Sequence, residues 1–251
     1  MAPEDIPLGI YTDTNFAFAL IDPITFRGWA MNDPGPTRTT LSDIAASEVK
    51  QDVFFESLVS FIENNGFDGV DLDWEYPVAD DRGGKPEDYK NFVNLLMRLR
   101  KRLNQMMRPI GLSIKLPASY WHLRGFDIIH LEPHVDFLNT MTYDIRFYGR
   151  SFSLESPDCV TAGYEQAAVR VVVFDKDQWV AYDDTATLKS KLDFANRRCL
   201  GSTMVWAVNL DDGALIASLE EAMGKKQEFV SDGSPGLIGD LGTTINGSAF
   251  P

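Results

Sequence analysis

Between Phe67 and Pro77 the chain reads FDGVDLDWEYP, with Asp71, Asp73 and Glu75 at every second position and Val70, Leu72 and Trp74 between them. Successive side chains of a β-strand point to opposite faces, so the three acids share one face and the three apolar residues the other. An interior row of carboxylates is costly through desolvation and mutual repulsion. It relaxes by taking up a proton, which raises the pKa of at least one member. A carboxyl that stays protonated near neutral pH is what a general acid needs. The spacing superficially resembles the start of a calcium loop, but the mid-way Gly of such a loop is absent, and the interleaved Val, Leu and Trp suit a packed strand face.

The rest of the composition narrows the possibilities. The 251 residues include 23 Lys plus Arg against 37 Asp plus Glu, a formal charge of −14. That excludes nucleic-acid groove binding and reading of anionic membranes, both of which need an excess of basic side chains. Hydrophobic residues make up 44% and aromatics 12%, enough to bury a sizeable core. No apolar run approaches the roughly 20 residues of a bilayer span, and the segment before Pro7 holds Glu4 and Asp5 but no basic residue, so a soluble chain without a signal peptide is expected. Cys159 and Cys199 form no metal-ligand set, and the sequence leaves their pairing open. His122, His130 and His134 lack metal-ligand companions at recognisable spacing. The run from Asp80 to Lys85 lacks the phosphate-loop pattern and reads as a loop after the acidic strand.

Along the chain, Asn15 to Leu20 suits a buried strand ending in a turn at Asp22-Pro23. Phe54, Leu58, Phe61 and Ile62 lay one stripe on a helix from about Ser47 to Asn65 that Gly66 can close. Pro86-Glu87-Asp88 opens a second helix with Phe92, Leu95, Leu96, Leu99 and Leu103 as its buried stripe. Ile110 to Leu116 and Val135 to Tyr143 read as strands, the second with Asn139, Met141 and Tyr143 on one face. Arg170 to Phe174 and Trp179 to Tyr182 suggest a hairpin, followed by a helix from Thr185 to Arg198 capped by Asp184. Thr203 to Val208 reads as a last strand and Ala214 to Met223 as a last helix. The tail, residues 226–251, is expected to be disordered, and it contains the sequon Asn246-Gly247-Ser248. Strands alternating with helices indicate an α/β fold with a parallel sheet, of which the (β/α)8 TIM-barrel type fits the length.

The segment DGVDLDWEYP resembles the signature strand of glycoside hydrolase family 18, the chitinases. Met141-Thr142-Tyr143-Asp144 is similar to that family's sixth-strand motif, Met204-Val205-Trp206-Ala207 to its eighth, Gly28-Trp29 to the end of its third and Phe147 to Phe152 to the end of its seventh. Lys176 to Asp184 looks most like the fungal killer-toxin-like subgroup. The resemblance covers residues 8–225 and implies a secreted enzyme that hydrolyses β-1,4-linked N-acetylglucosamine polymers by a substrate-assisted retaining mechanism. It implies no cofactor and no metal, and no nucleic-acid or membrane partner; the substrate is chitin or a chitooligosaccharide. Glu75 would be the acid and later the base, Asp73 would orient the acetamido group, and Asp71 would modulate its charge. Tyr143 and Asp144 would hold that group, Trp206 would floor the sugar, and Met141, Trp29 and Tyr76 would complete the substrate site. Taken singly these residues have plainer readings: Trp206 as core, Tyr143 as a strand end, Trp29 and Trp121 as either sugar platforms or packing. An endo-acting N-acetylglucosaminidase on glycans and a catalytically silent chitin-binding protein are the alternatives.

The departures from that family are large. Its first strand has no counterpart before Tyr11, and Asp13 stands where many relatives have His. Only Arg27 separates Phe26 from Gly28, and only Ile145, Arg146 and Phe147 separate Asp144 from Tyr148. A crossover between parallel strands needs roughly 10 to 12 residues, so neither junction can hold one. The barrel is therefore expected to be incomplete, with about five whole strands containing Phe16, Asp71, Ile114, Met141 and Trp206. Residues 22–40 and 145–170 are expected to be irregular and exposed.

Overall fold

The computed structural model describes residues 11–22, 24–26, 28–30, 39–142, 160–164, 169–174, 178–210 and 213–223. They fall into two compact units, one running to Leu154 and including Ser202–Trp206, the other containing Glu155–Gly201 and the residues from Ala207 onward.

The first unit begins with a short hairpin. Strand β1 (Ala19–Ile21) pairs antiparallel with β2 (Gly28–Ala30), Leu20 opposite Trp29. Between them Asp22 Oδ1 accepts from the backbone N–H groups of Ile24 and Thr25 at 2.7 and 2.6 Å, and these bonds hold its carboxyl below the usual range. The turn expected at Asp22-Pro23 forms. The strand is shorter than Asn15 to Leu20 and leaves Phe16 58% exposed. With one residue in place of a crossover helix, the chain doubles back instead of running parallel. Residues 28–30 were expected to be irregular, and they are paired instead.

Three helices follow or flank the acidic strand: α1 (Thr40–Ala45), α2 (Glu48–Asn65) and, after β3 (Gly69–Leu72), α3 (Asp88–Leu103). Helix α2 forms where its stripe predicts. The Ser47 hydroxyl accepts from the Lys50 N–H, Gly66 closes the helix at φ 69°, and Phe54, Phe55, Leu58, Val59 and Ile62 are buried. Phe61 faces the edge of the core and stacks on Phe67, with centroids 5.6 Å apart. In α3 the whole expected stripe is buried, from Phe92 to Leu103. Arg98 and Arg102 reach from α3 to Glu48, Asp52 and Glu56 on α2, a ladder of ion pairs along the solvent edge of the helix pair.

Strand β4 (Gly111–Pro117) leads through the short helices α4 (Tyr120–Leu123) and α5 (Ile128–Leu131) to β5 (Phe137–Met141). The sheet order is β3-β4-β5 and both pairings are parallel, with Asp71 beside Ser113 and Lys115 beside Asn139. Leu72, Leu112, Ile114 and Leu116 are buried in the core cluster with the α2 and α3 stripes, and Trp74 packs edge-on against Phe92 at 5.1 Å. Full burial of each such side chain contributes about 1.5–3 kcal/mol. Of the five barrel strands expected, those with Asp71, Ile114 and Met141 form this arc. Thr203 to Val208 is not a strand: residues 201–205 are irregular, and Val208–Leu210 is a single 3-10 turn. Its apolar pattern specifies a strand only where a neighbour completes the hydrogen bonds, and among the described residues none pairs with it.

The second unit is an antiparallel sheet of β6 (Val160–Tyr164), β7 (Val169–Phe174) and β8 (Gln178–Tyr182), followed by α6 (Thr185–Arg197) and α7 (Ala214–Ala222). The β7–β8 pair is the expected hairpin. Strand β6 falls where irregular chain was expected; a hairpin partner needs no crossover, so the loss of neighbouring parallel strands does not forbid it. Asp184 caps α6 as predicted. Its Oδ1 accepts from the Thr187 N–H at 2.8 Å, the Thr187 hydroxyl accepts from the Asp184 N–H at 2.9 Å, and Oδ2 accepts from Arg170 at 2.7 Å. The Arg170 bond, with the cap, lowers the Asp184 pKa. The tail, residues 226–251, lies outside the described residues, as does Cys159; Cys199 is exposed.

Candidate active site

Asp71 lies on β3 with both carboxylate oxygens fully engaged. Oδ1 accepts from Ser113 Oγ at 2.7 Å and Asn139 Nδ2 at 3.2 Å, and Oδ2 accepts from Asn15 Nδ2 at 2.9 Å and Lys115 Nζ at 2.8 Å. The register explains the gathering. Parallel pairing aligns Asp71 with Ser113 and Lys115 with Asn139, so all four project from one face of the arc, opposite the leucines. The Asp71 and Lys115 side chains are each 10% exposed.

Asp73 and Glu75 lie just beyond the end of β3, on the same side as Asp71 by alternation, while Leu72 and Trp74 turn into the core. Asp73 Oδ1 is buried without a hydrogen-bond partner. Burial pushes the Asp73 carboxyl up to about 6; the Glu75 charge adds to this, Lys115 opposes it and Asp71 adds a little more. The middle member of the row is thus the one whose carboxyl is raised. Glu75 is exposed at the open end of the row.

Tyr76 follows Glu75, and its ring stacks on His122 at 4.2 Å and 21°. Burial and then the Glu75 charge raise its phenol pKa. The chain beyond Tyr76 is held by backbone-level contacts. A Cβ on Gly125 would lie 2.5 Å from the Pro77 carbonyl oxygen, and one on Gly84 would lie 2.6 Å from the Ala79 nitrogen and 2.9 Å from the Tyr76 oxygen. Asp88, fully buried at the start of α3, accepts from the Lys85 N–H at 2.6 Å and from the Ser42 hydroxyl at 2.8 Å. The loop that carries Glu75 forward is therefore anchored to α1, to α3 and to the segment after α4.

The other site residues named from the sequence are placed unevenly. Met141 ends β5 opposite Pro117 and is 6% exposed. Trp206 is 48% exposed and rests against Phe18 with ring centroids 5.2 Å apart. Trp29 sits on β2, and its side chain lies outside what is described, as do Tyr143 and Asp144 altogether. Trp121 is 63% exposed and not core, with the Arg124 guanidinium 3.6 Å from its ring centroid covering one face. The sequence reading passed over Ser113, Lys115, Asn139 and Asn15 as a donor set. Their signal was the alternation of β4, in which polar positions 113 and 115 interleave with Leu112, Ile114 and Leu116.

The family model for glycosyl hydrolases family 18 matches residues 28–162, more than half of the chain and all of the β3-β4-β5 arc. The chain belongs to that family. The α/β subunits of the killer toxin of Kluyveromyces lactis are 30% identical over 169 residues, which are 58% of this chain and 15% of that protein. Secreted chitinase LysM12 of Penicillium expansum is 31% identical over 122 residues, 49% of this chain and 8% of that one. The chain thus spans less than a fifth of the length of these family relatives. Catalytic domain 2 of the Group II chitinase of Ostrinia furnacalis, solved as an E2180L mutant in complex with a chitooligosaccharide, superimposes with a TM-score of 0.68 at 18% identity, covering 84% of this chain and 88% of that one. The family fold, a (β/α)8 barrel, is present here in part. Among the described residues, no helix is long and apolar enough to cross a membrane.

Proposed function

We propose that this family 18 chain is a glycosidase that hydrolyses β-1,4-linked N-acetylglucosamine polymers, taking chitin or its oligomers as substrate. The observation that carries the reading is the carboxylate row itself: Asp73, half-buried and pushed up to about 6, between a saturated Asp71 and an exposed Glu75. The family is one in which the substrate supplies the nucleophile. Glu75 donates its proton to the glycosidic oxygen while the acetamido oxygen of the sugar attacks the anomeric carbon, breaking the glycosidic bond and leaving an oxazolinium ion. Glu75, now a carboxylate, takes a proton from water as that water opens the ring, and the configuration is retained. The unpartnered Oδ1 of Asp73 is an acceptor suited to the acetamido N–H. Tyr143 and Asp144 hold the acetamido carbonyl side, Trp206 forms the floor, and Met141, Trp29 and Tyr76 line the sugar, as the family motif implies. The catalytic region is residues 8–225 with residues 226–251 as a tail, and the setting is extracellular, a reading supported by the secreted relative.

A second reading, a silent chitin-binding protein, is favoured by one observation: Trp206 lies off any strand and Phe16 is exposed, so the sugar floor is not built as a barrel would build it. Turnover of a fluorogenic chitobiose substrate by the purified chain, abolished in Glu75→Gln, supports the enzyme. Chitooligosaccharide binding without turnover supports the binder.

A further inference from the structure

A lysine within the carboxylate row is unexpected chemistry, because Lys is almost never buried without a partner that compensates its charge. Lys115 rises from β4 with its ammonium 2.8 Å from Asp71 Oδ2 and both side chains at 10% exposure. Asp71 also accepts from Ser113, Asn139 and Asn15, two bonds to each oxygen, which fills the acceptor sites of an ionised carboxylate. Asp73 next along the row has the opposite surroundings, with a buried oxygen that no donor meets. The charges that act on Asp73 are those of Glu75 and Asp71, from the turn after β3 and from β3 itself, and that of Lys115 from β4; Tyr76 follows Glu75 in that turn, with His122 stacked on its ring. Ser113 and Asn139 add uncharged donors from β4 and β5, and Asn15 adds one from the segment before β1.

We propose that Lys115 is a positioning residue of the row: anchored on Asp71 by a 2.8 Å ion pair, its ammonium is held beside Asp73, where its positive charge limits how tightly Asp73 keeps a proton. Lys115 touches no substrate atom in this role. It acts through Asp71 and through its field at Asp73, where its charge opposes burial and the Glu75 carboxylate. The consequence is that the protonation of Asp73 is tuned by a residue on the neighbouring strand. The part of this inference that concerns turnover rests on the proposed glycosidase function; the part that concerns the proton does not.

The experiment is a carbon-13 carboxyl NMR titration of the full chain. In Lys115→Met the Asp73 midpoint moves up by roughly one pH unit, the effect of removing an opposite charge at close range, and in Lys115→Arg it returns toward the wild-type value. An unchanged midpoint in Lys115→Met overturns the proposal. Should Lys115→Met not fold, Asp71→Asn and Asp71→Asn/Lys115→Met are compared: a higher midpoint in the double variant supports the proposal and equal midpoints overturn it. The pH dependence of chitooligosaccharide hydrolysis is measured alongside, and the limb that Asp73 governs moves up with its midpoint in Lys115→Met. A moved titration with no turnover in any variant upholds Lys115 and refutes the glycosidase; normal turnover with an unmoved titration does the reverse.

Discussion

The Asp88 carboxylate accepts a 2.8 Å hydrogen bond from the Ser42 hydroxyl, both residues at or below 1% exposure, and so ties the first turn of α3 to α1 beneath the loop that follows Glu75. Its other oxygen accepts from the Lys85 N–H, at the far end of that loop. Replacing Asp88 by Ala leaves the Ser42 hydroxyl unmet inside the core and the Lys85 N–H unmet at its edge, and by the usual cost of buried unsatisfied groups it should lower stability by about 2–4 kcal/mol. Ser42→Ala leaves only the Asp88 Oδ1 short of a donor while Oδ2 keeps the Lys85 N–H, and should cost less, about 1–2 kcal/mol. Chemical denaturation of the three proteins checks the order; equal midpoints for Asp88→Ala and wild type would show that the link does not hold the loop.

The Asp73 carboxyl has a folded-state pKa of about 6 against an ordinary 3.8. The folded form therefore binds its proton more tightly than the unfolded chain, and stability from this group is full below pH 4 and declines as the pH rises towards 6 and beyond. Asp73→Asn carries no charge to desolvate, so it should melt higher than wild type at pH 8, and the gap should shrink towards zero at pH 4. Thermal melts at the two pH values test this, and a gap that widens on acidification would contradict the assignment.

Glu75→Gln should abolish turnover while leaving chitooligosaccharide binding largely intact, since shape is kept and only proton transfer is lost. Because the Glu75 charge is the second cause that raises Asp73, the same variant should also lower the Asp73 midpoint. Isothermal titration with chitotetraose and a carboxyl NMR titration read the two effects separately. Equal activity in variant and wild type would assign the acid elsewhere.

Gly125→Ala puts a methyl group 2.5 Å from the Pro77 carbonyl, backbone against side chain, so the turn two residues beyond Glu75 has to move. A stability loss of about 1–3 kcal/mol and reduced turnover are expected. Gly201→Ala, where nothing lies within 4 Å of the added carbon, serves as the neutral control. Similar melting temperatures for the two variants would mean that the loop after Glu75 yields freely.

What could be read in advance follows how local its cause was. Helices α2 and α3 were legible because their stripes, the Ser47 cap and the Gly66 closure all lie within one element. The row of acids that begins on β3 with Asp71 was legible because alternation needs no partner. Lys115 was not, since its meaning depends on a register that brings it beside Asn139 and near Asp71, on another strand. Residues 203–208 misled because an apolar run becomes a strand only with a neighbour, and β2 was unforeseen because the family pattern calls for a parallel partner where this chain makes a hairpin.

The two three-stranded sheets also differ in how far apart their partners stand along the chain. Asp71 and Ser113, joined across β3 and β4, are separated by 42 residues that include all of α3, whereas Phe174 and Gln178 meet within one tight reversal. Closing a long loop has to precede any gain from the pairing it permits, so parallel contacts form late and short hairpins early. In refolding, protection of β7 and β8 amides should appear before that of β3 and β4. The carboxylate row, and with it any chemistry, would then be the last part of the molecule to come into being.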